Sequence, residues 1–368
     1  MILVKARRDQ LLGPLSSVCG IVERRHTLPI LSNVLIERRG NVLSFLATDI
    51  EIQITARTEV ESTGEARAIT VGARKLVEIL RALPDEAEVT LQLQDKRMQV
   101  KAGKSRFALQ TLAADDFPRL AAVAGSTARF SLAQKALRKL LGLVQYAMAQ
   151  QDIRYYLNGL LVMVEDRQLR LVATDGHRLA HASLALDEEL PRQEVILPRK
   201  TVLELAKLLG DIDDPVAVEI SASQAAFSFG GVDLVSKLVD GKFPDFTRVI
   251  PTTHANKLTI ERETLRQALQ RAAILSNEKF RGVRWVLTAD SLKIVSSNAE
   301  QEEAEETLDV AYRGDALDIG FNVNYLLDVL NNLAAAQVEC SFGDASSSAL
   351  LCFPAEPEFK YVVMPMRI

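Results

Sequence analysis

Apolar side chains recur every three to four residues at Leu137, Leu140, Leu141, Val144 and Met148, while Gln134, Lys135, Arg138 and Lys139 hold the opposite side. That spacing predicts an amphipathic helix. Leu265, Ala268, Leu269 and Ala272, set against Arg266, Gln267, Gln270 and Arg271, predict another of the same kind. Shorter helices are expected at Lys75–Leu83, Lys200–Leu209 and Asn324–Leu333. Between them the period falls to two, as in Val89-Thr90-Leu91-Gln92-Leu93 and along Arg167–Val172, which predicts half-buried strands.

These segments are copies of one another. Pro29–Ile36 followed by Ala47-Thr48-Asp49 returns as Tyr156–Leu161 followed by Ala173-Thr174-Asp175, about 125 residues on. Arg74-Lys75 returns as Arg199-Lys200, and Phe117-Pro118 as Phe243-Pro244, at the same distance. A weaker third copy runs through Val283–Leu287, Ser296-Ser297-Asn298, Asn324 and Met364-Pro365. A period this long is a whole domain rather than a solenoid unit. The expected fold is therefore α+β: three repeated domains over residues 1–126, 127–254 and 255–368, each with two helices on one face of antiparallel sheet.

Composition narrows the class. With 44 basic and 48 acidic residues in 368, the formal charge is −4, against a protein that coats nucleic acid over its whole surface. No apolar stretch approaches the roughly 20 residues of a membrane span, and Met1–Lys5 is too short for a signal-peptide core, so a cytoplasmic location is expected. Cys19, Cys340 and Cys352 have no CxxC spacing and are expected buried and reduced.

Three similar domains in a row bury their ends if copies pack head to tail, and such a contact closes into a ring or grows into a filament. Two chains would line a ring with twelve helices, about 36 Å across at the axes and about 26 Å clear, wide enough for a duplex. The exposed helix faces carry Arg74, Lys75, Arg81, Lys135, Arg138, Lys139, Lys200, Lys207, Arg262, Arg266 and Arg271, with few acids beyond Glu78, Glu204 and Glu263. That bias suits phosphates bound without base reading. Acids collect elsewhere, at Glu300–Glu306 and Asp187–Glu189.

Several blocks closely resemble the bacterial β sliding clamps, the processivity (beta) subunits of DNA polymerase III. They are Thr27–Leu31, Arg154-Tyr155-Tyr156-Leu157-Asn158-Gly159, Thr174-Asp175-Gly176-His177-Arg178-Leu179, Ser236–Pro244, Ala273–Val283 and Tyr361–Ile368. The resemblance implies a homodimeric ring of six clamp domains that encircles double-stranded DNA regardless of sequence. It implies an ATP-driven clamp loader, and tethering of the replicative polymerase and repair proteins through a shared peptide pocket. It implies no catalytic residue and no cofactor or metal, and the sequence shows no P-loop or acidic metal pair.

Positions matching the family's pocket are Arg154, Leu157, Thr174, Gly176, His177, Arg178, Leu179, Pro244, Val249, Asn322, Tyr325, Ser348 and the tail Val362, Val363, Met364, Pro365, Met366 and Arg367. Ser346 stands at the pocket edge where an aliphatic residue is expected. Arg25, Arg74, Gln151, Tyr155, Tyr156, Arg199, Lys200 and Arg248 match positions near the DNA path. Phe107, Leu109, Ile274 and Leu275 match the subunit interface, with Lys75, Arg97, Lys104 and Arg106 facing Glu300, Glu302, Glu303 and Glu305. A rival reading makes Asp175 and His177 a catalytic dyad, but no nucleophile or second acid completes it, and the first copy keeps Thr48-Asp49 without a His. A second rival is an open DNA-binding scaffold.

Overall fold

The structure, a computed structural model, describes residues 2–23, 28–61 and 66–367. The first repeat runs β1 (Ile2–Arg7), α1 (Arg8–Cys19), β2 (Asn33–Arg39), β3 (Val42–Thr48), β4 (Ile52–Glu59), β5 (Arg67–Gly72), α2 (Ala73–Ala82), β6 (Glu88–Gln94), β7 (Arg97–Ala102) and β8 (Ser105–Leu112). The second runs β9 (Ala128–Ala133), α3 (Gln134–Val144), β10 (Gly159–Thr174), β11 (Arg178–Pro198), α4 (Arg199–Leu208), β12 (Pro215–Ile220), β13 (Gln224–Phe229) and β14 (Val232–Lys237). The third runs β15 (Asn256–Glu261), α5 (Arg262–Ile274), β16 (Gly282–Thr288), β17 (Ser291–Ser297), β18 (Glu303–Asp309), β19 (Leu317–Asn322), α6 (Val323–Asn332), β20 (Gln337–Phe342), β21 (Ala349–Phe353) and β22 (Glu356–Val363). In the second repeat β10 and β11 each cover two strand positions, β10 turning at Asp166 with φ 54°. The three shorter helices stand within two residues of their expected ends, but the stripe begun at Leu137 is cut short: α3 ends at Val144, Met148 follows a separate 3-10 turn, and Arg167–Val172 is the second half of the longer β10.

One joint recurs in all three repeats. The first residue of the first helix donates its backbone N–H to a carbonyl just past the second helix: Arg8 to Ala87, Gln134 to Asp214 and Arg262 to Ala336, at 2.8–2.9 Å. Their side chains serve the same helix end. Arg8 Nε donates to Leu80 O and Arg262 Nη1 to Leu330 O, while Gln134 Oε1 accepts from Gly210 N. At the first and third joints the arginine donates to carbonyls left over at the helix C-terminus and its charge complements the helix dipole, whereas at the second the neutral Gln134 accepts from the N–H just past it.

Among the described residues every strand pair is antiparallel. The chain divides into two compact units, Met1–Ala136 with Leu203–Leu238, and Leu137–Val202 with Val239–Ile368. The division cuts through the second repeat, so each unit is built around a junction of repeats. In the first unit a twelve-stranded sheet passes from β4 into β14, with Ile52 opposite Ser236 and Ala56 opposite Val232. In the second unit a six-stranded sheet passes from β11 into β22, with Arg178 opposite Val363 and Ala182 opposite Phe359. A four-stranded sheet, β18-β17-β16-β19, completes the second unit. Its core sets Trp285 edge-on to Phe321 and Phe342, burying large apolar area.

Two expectations are corrected. Cys340 is buried, but Cys19 and Cys352 are only partly so; all three thiols are free, and burial pushes Cys19 up to about 12. Glu204, counted among exposed acids, is 7% exposed and pairs with Lys207. Among the described residues no helix is long and apolar enough to cross a membrane.

Candidate partner-binding groove

Two turns, one loop and a strand end enclose a cavity of about 190 Å³ within the second unit. The turn between β10 and β11 is tied by side chains that suit tight backbone reversals. Asp175 Oδ1 accepts from the N–H groups of His177 and Arg178, and Thr174 Oγ1 donates to Arg178 O at 2.6 Å. Asp49 does the same for Glu51 and Ile52 in the first repeat, while in the third the longer turn leaves Asn298 Oδ1 accepting from one N–H, that of Glu302. Asp175 is thus a turn residue, and the dyad reading loses its acid.

Gly176 has φ 91°, and a Cβ there would lie 2.9 Å from the Arg154 guanidinium. The positive φ favours glycine, and a Cβ would also push on the guanidinium end of Arg154. Arg154 is fixed by Asp152, at 3.0 and 2.8 Å, and donates to Asp175 O at 3.1 Å. The guanidinium in turn holds the Asp152 carboxyl down at about 2.

Arg178 is the polar centre of the wall, its side chain only 9% exposed. Nε donates to Asp175, Nη1 to Asp328 on α6 and Nη2 to Tyr146 O, and the guanidinium lies 4.5 Å from the Tyr325 ring centre. Burial works against its charge, but Tyr361, Asp328 and Asp175 hold its pKa above the ordinary guanidinium value. Beneath the groove, Leu157, Leu161, Val172, Leu179, Ile196, Phe243 and Val362 form one apolar cluster. A rigid apolar floor rimmed by fixed donors suits a short peptide with one amide and a few apolar side chains.

The DNA polymerase III beta subunit N-terminal, central and C-terminal domain families match residues 3–121, 131–245 and 247–367. The Escherichia coli K12 beta sliding clamp is 46% identical over 361 residues, 98% of each chain. The chain belongs to the β sliding clamp family. The crystal structure of the Pseudomonas aeruginosa sliding clamp bound to griselimycin superposes with TM-score 0.96 at 46% identity, and the Caulobacter crescentus polymerase III beta structure with 0.94 at 39%, both over the whole of each chain.

Of the pocket residues carried over from other β sliding clamps, the cavity gathers Arg154, Leu157, Thr174, Gly176, His177, Arg178, Leu179, Pro244, Val249, Val362 and Met364. Others stand behind or beside it. Tyr325 stacks on Arg178; Asn322 caps α6, its Oδ1 accepting from Asn324 N; Val363 is buried in β22; Met366 N donates to Gly320 O. Ser348, Pro365 and Arg367 do not line it, and exposed Ser346 is engaged with Asp344. Tyr156, Phe243 and Phe246 line it unpredicted. Phe243 was visible as a repeat marker and Tyr156 as a DNA-path match, so composition of the motif was legible but its direction was not.

Among the DNA-path positions, Arg25 lies outside the described residues. Tyr155 is 57% exposed and Gln151 exposed with φ 57°. Arg74 donates to Val22 O and Arg199 to Met148 O, and Arg248 pairs with Asp245 at 2.9 Å. The basic helix faces are partly neutralised. On α5, Arg266 pairs with Glu263 and Arg271 with Glu306, while Arg262 serves the end of α6. Lys135 pairs with Asp213 and Lys139 with Glu356. Lys75, Arg81 and Arg138 stay exposed. Of the interface residues, Ile274 is 76% exposed, Phe107, Leu109 and Leu275 half-buried, and Glu305 pairs with Lys293.

Proposed function

We propose that the chain closes head to tail with a second copy into a ring on duplex DNA, and that the groove tethers the replicative polymerase and other partners to that ring. One observation carries this reading. Each repeat hands its fourth-position strand to the last strand of the next: β4 to β14, then β11 to β22. The series leaves β18, an edge strand, and β8, whose Ser105–Gln110 stretch pairs only with β7 among the described residues. Such exposed edges call for a partner, and only another copy offers the matching one.

Helix ends follow the same rule. Gly20 closes tightly on Glu204, and Tyr146 packs on Tyr361 at 5.8 Å between ring centres. The equivalent third-repeat residue is exposed Ile274, which with Leu275 would meet Phe107 and Leu109. Transferring the register of the two closed junctions sets Glu303 opposite Ala108 and Glu305 opposite Arg106. Opposite charge there fixes register more than affinity, with Lys75, Arg97 and Lys104 facing Glu300 and Glu302 nearby.

Each protomer contributes three clamp domains, 1–126, 127–254 and 255–368. Lys75, Arg81 and Arg138, with the DNA-path positions, touch phosphates weakly, and the hold on DNA is topological rather than electrostatic. The chain acts as a non-catalytic subunit in the bacterial cytoplasm, and an ATP-driven clamp loader opens it. The test is retention: the protein is loaded with its loader and ATP onto a nicked circular plasmid and gel-filtered in high salt. The plasmid is then cut once. Loss only from linear DNA is expected; equal stripping from both forms would favour an open scaffold.

A further inference from the structure

A second and larger cavity, about 630 Å³, adjoins the groove and shares Phe243, Pro244 and Phe246 with it as a common wall. No residue of its other walls belongs to the positions carried over from the family. Leu161 and Met163 of β10 give it an apolar floor, while Arg170, Arg192, Lys242 and Lys360 stand around it. The arginines are already matched, Arg170 to Glu165 at 3.2 Å and Arg192 to Glu194 at 2.5 Å. Its other acid, Asp245, is engaged by Thr247 and Arg248. Lys242 and Lys360 are exposed, and among the described residues neither has an ion pair. The cavity therefore carries unspent positive charge over an apolar floor. His181 on the same wall adds none: its ring stacks on Phe246 at 5.8 Å, and burial, with Lys360 and Arg170 beside it, lowers its pKa to about 4.

The groove's 190 Å³ accommodates one or two side chains, so a bound segment must continue past it, and the shared wall leads to the larger space. We propose that this second cavity receives an acidic, aliphatic flank of the same partner segment that fills the groove. A Glu or Asp carboxylate would meet Lys242 and Lys360, and the adjoining aliphatic side chain would lie on Leu161, Met163 and Phe246. The proposal rests on reading the groove as a partner-peptide site. A nucleic-acid backbone fits less well, since phosphates gain nothing from an apolar floor.

The test uses the full-length protein and three synthetic peptides followed by fluorescence anisotropy. One carries Gln, Leu and a terminal Phe; the others add a Leu-Glu pair before or after that core. One extended peptide is expected to bind about tenfold tighter than the core peptide at low salt, with the gain shrinking as salt rises. Lys242→Glu with Lys360→Glu should abolish the gain and leave the core peptide's affinity unchanged, since both lysines are exposed and outside the groove. The proposal is overturned if neither extension tightens binding, if the double variant keeps the gain, or if a single-stranded oligonucleotide displaces the flank alone. Failure of the core peptide to bind at all would instead sink the groove reading.

Discussion

The two closed junctions of the chain share a backbone plan and differ in what fills it. At the first, the residue three past the turn aspartate is Ile52, 1% exposed, and the first-helix end is Gly20, so chain lies flat on chain. At the second, those places hold Arg178 and Tyr146, so an engaged guanidinium beside a tyrosine ring stands where the first has an isoleucine and a glycine backed by the buried Glu204 carboxylate. Bulk and charge at these positions prop the neighbouring segments around a cavity. The left-handed turn position differs as well, Ile50 with φ 72° against Gly176 with φ 91°. A groove thus stands at the copy of the duplicated joint where a buried, fully engaged cation takes the place that Ile52 holds in the other.

The sharpest break of that comparison is at the open third junction. Ile274→Asp with Leu275→Asp should set unpaired charge into an apolar contact and leave folded monomers at micromolar concentration. Dimers persisting in sedimentation would misplace the interface. Next, Arg178→Ile makes the second junction imitate the first, yet strips the partner from Asp175 and Asp328. A loss of about 3 kcal/mol is expected in urea unfolding, and an unchanged midpoint would show that the cation is dispensable. The smallest effects separate the two turns. Gly176→Ala should cost about 1–2 kcal/mol and weaken peptide binding, whereas Ile50→Asn should stabilise by up to about 1 kcal/mol, since the wild type already holds a β-branched residue at positive φ. Equal signs in calorimetry would undo the contrast.

The triplication and the helix positions were legible from local periods, whereas most residues lining the groove were named only because their motifs resemble those of the β sliding clamps. Phe246 escaped because nothing in its spacing distinguishes a wall residue from an ordinary loop aromatic. The basic faces were overcounted for a related reason: Glu306 lies 35 residues from Arg271, and their pairing exists only once α5 and β18 are packed. Glu204 reads as a solvated acid on its helix period, yet the neighbouring repeat covers it through Gly20. Tertiary context, absent from any window of sequence, decided each of these.

Strand β18 exposes Glu303, Glu305, Thr307 and Asp309 at alternate positions. Two newly made chains that tried to zip these strands together would bring carboxylate rows face to face, and the attempt would be repelled. Opposed carboxylates of that kind disfavour pairing of this sheet margin with its own likeness, which is the first step of edge-to-edge aggregation.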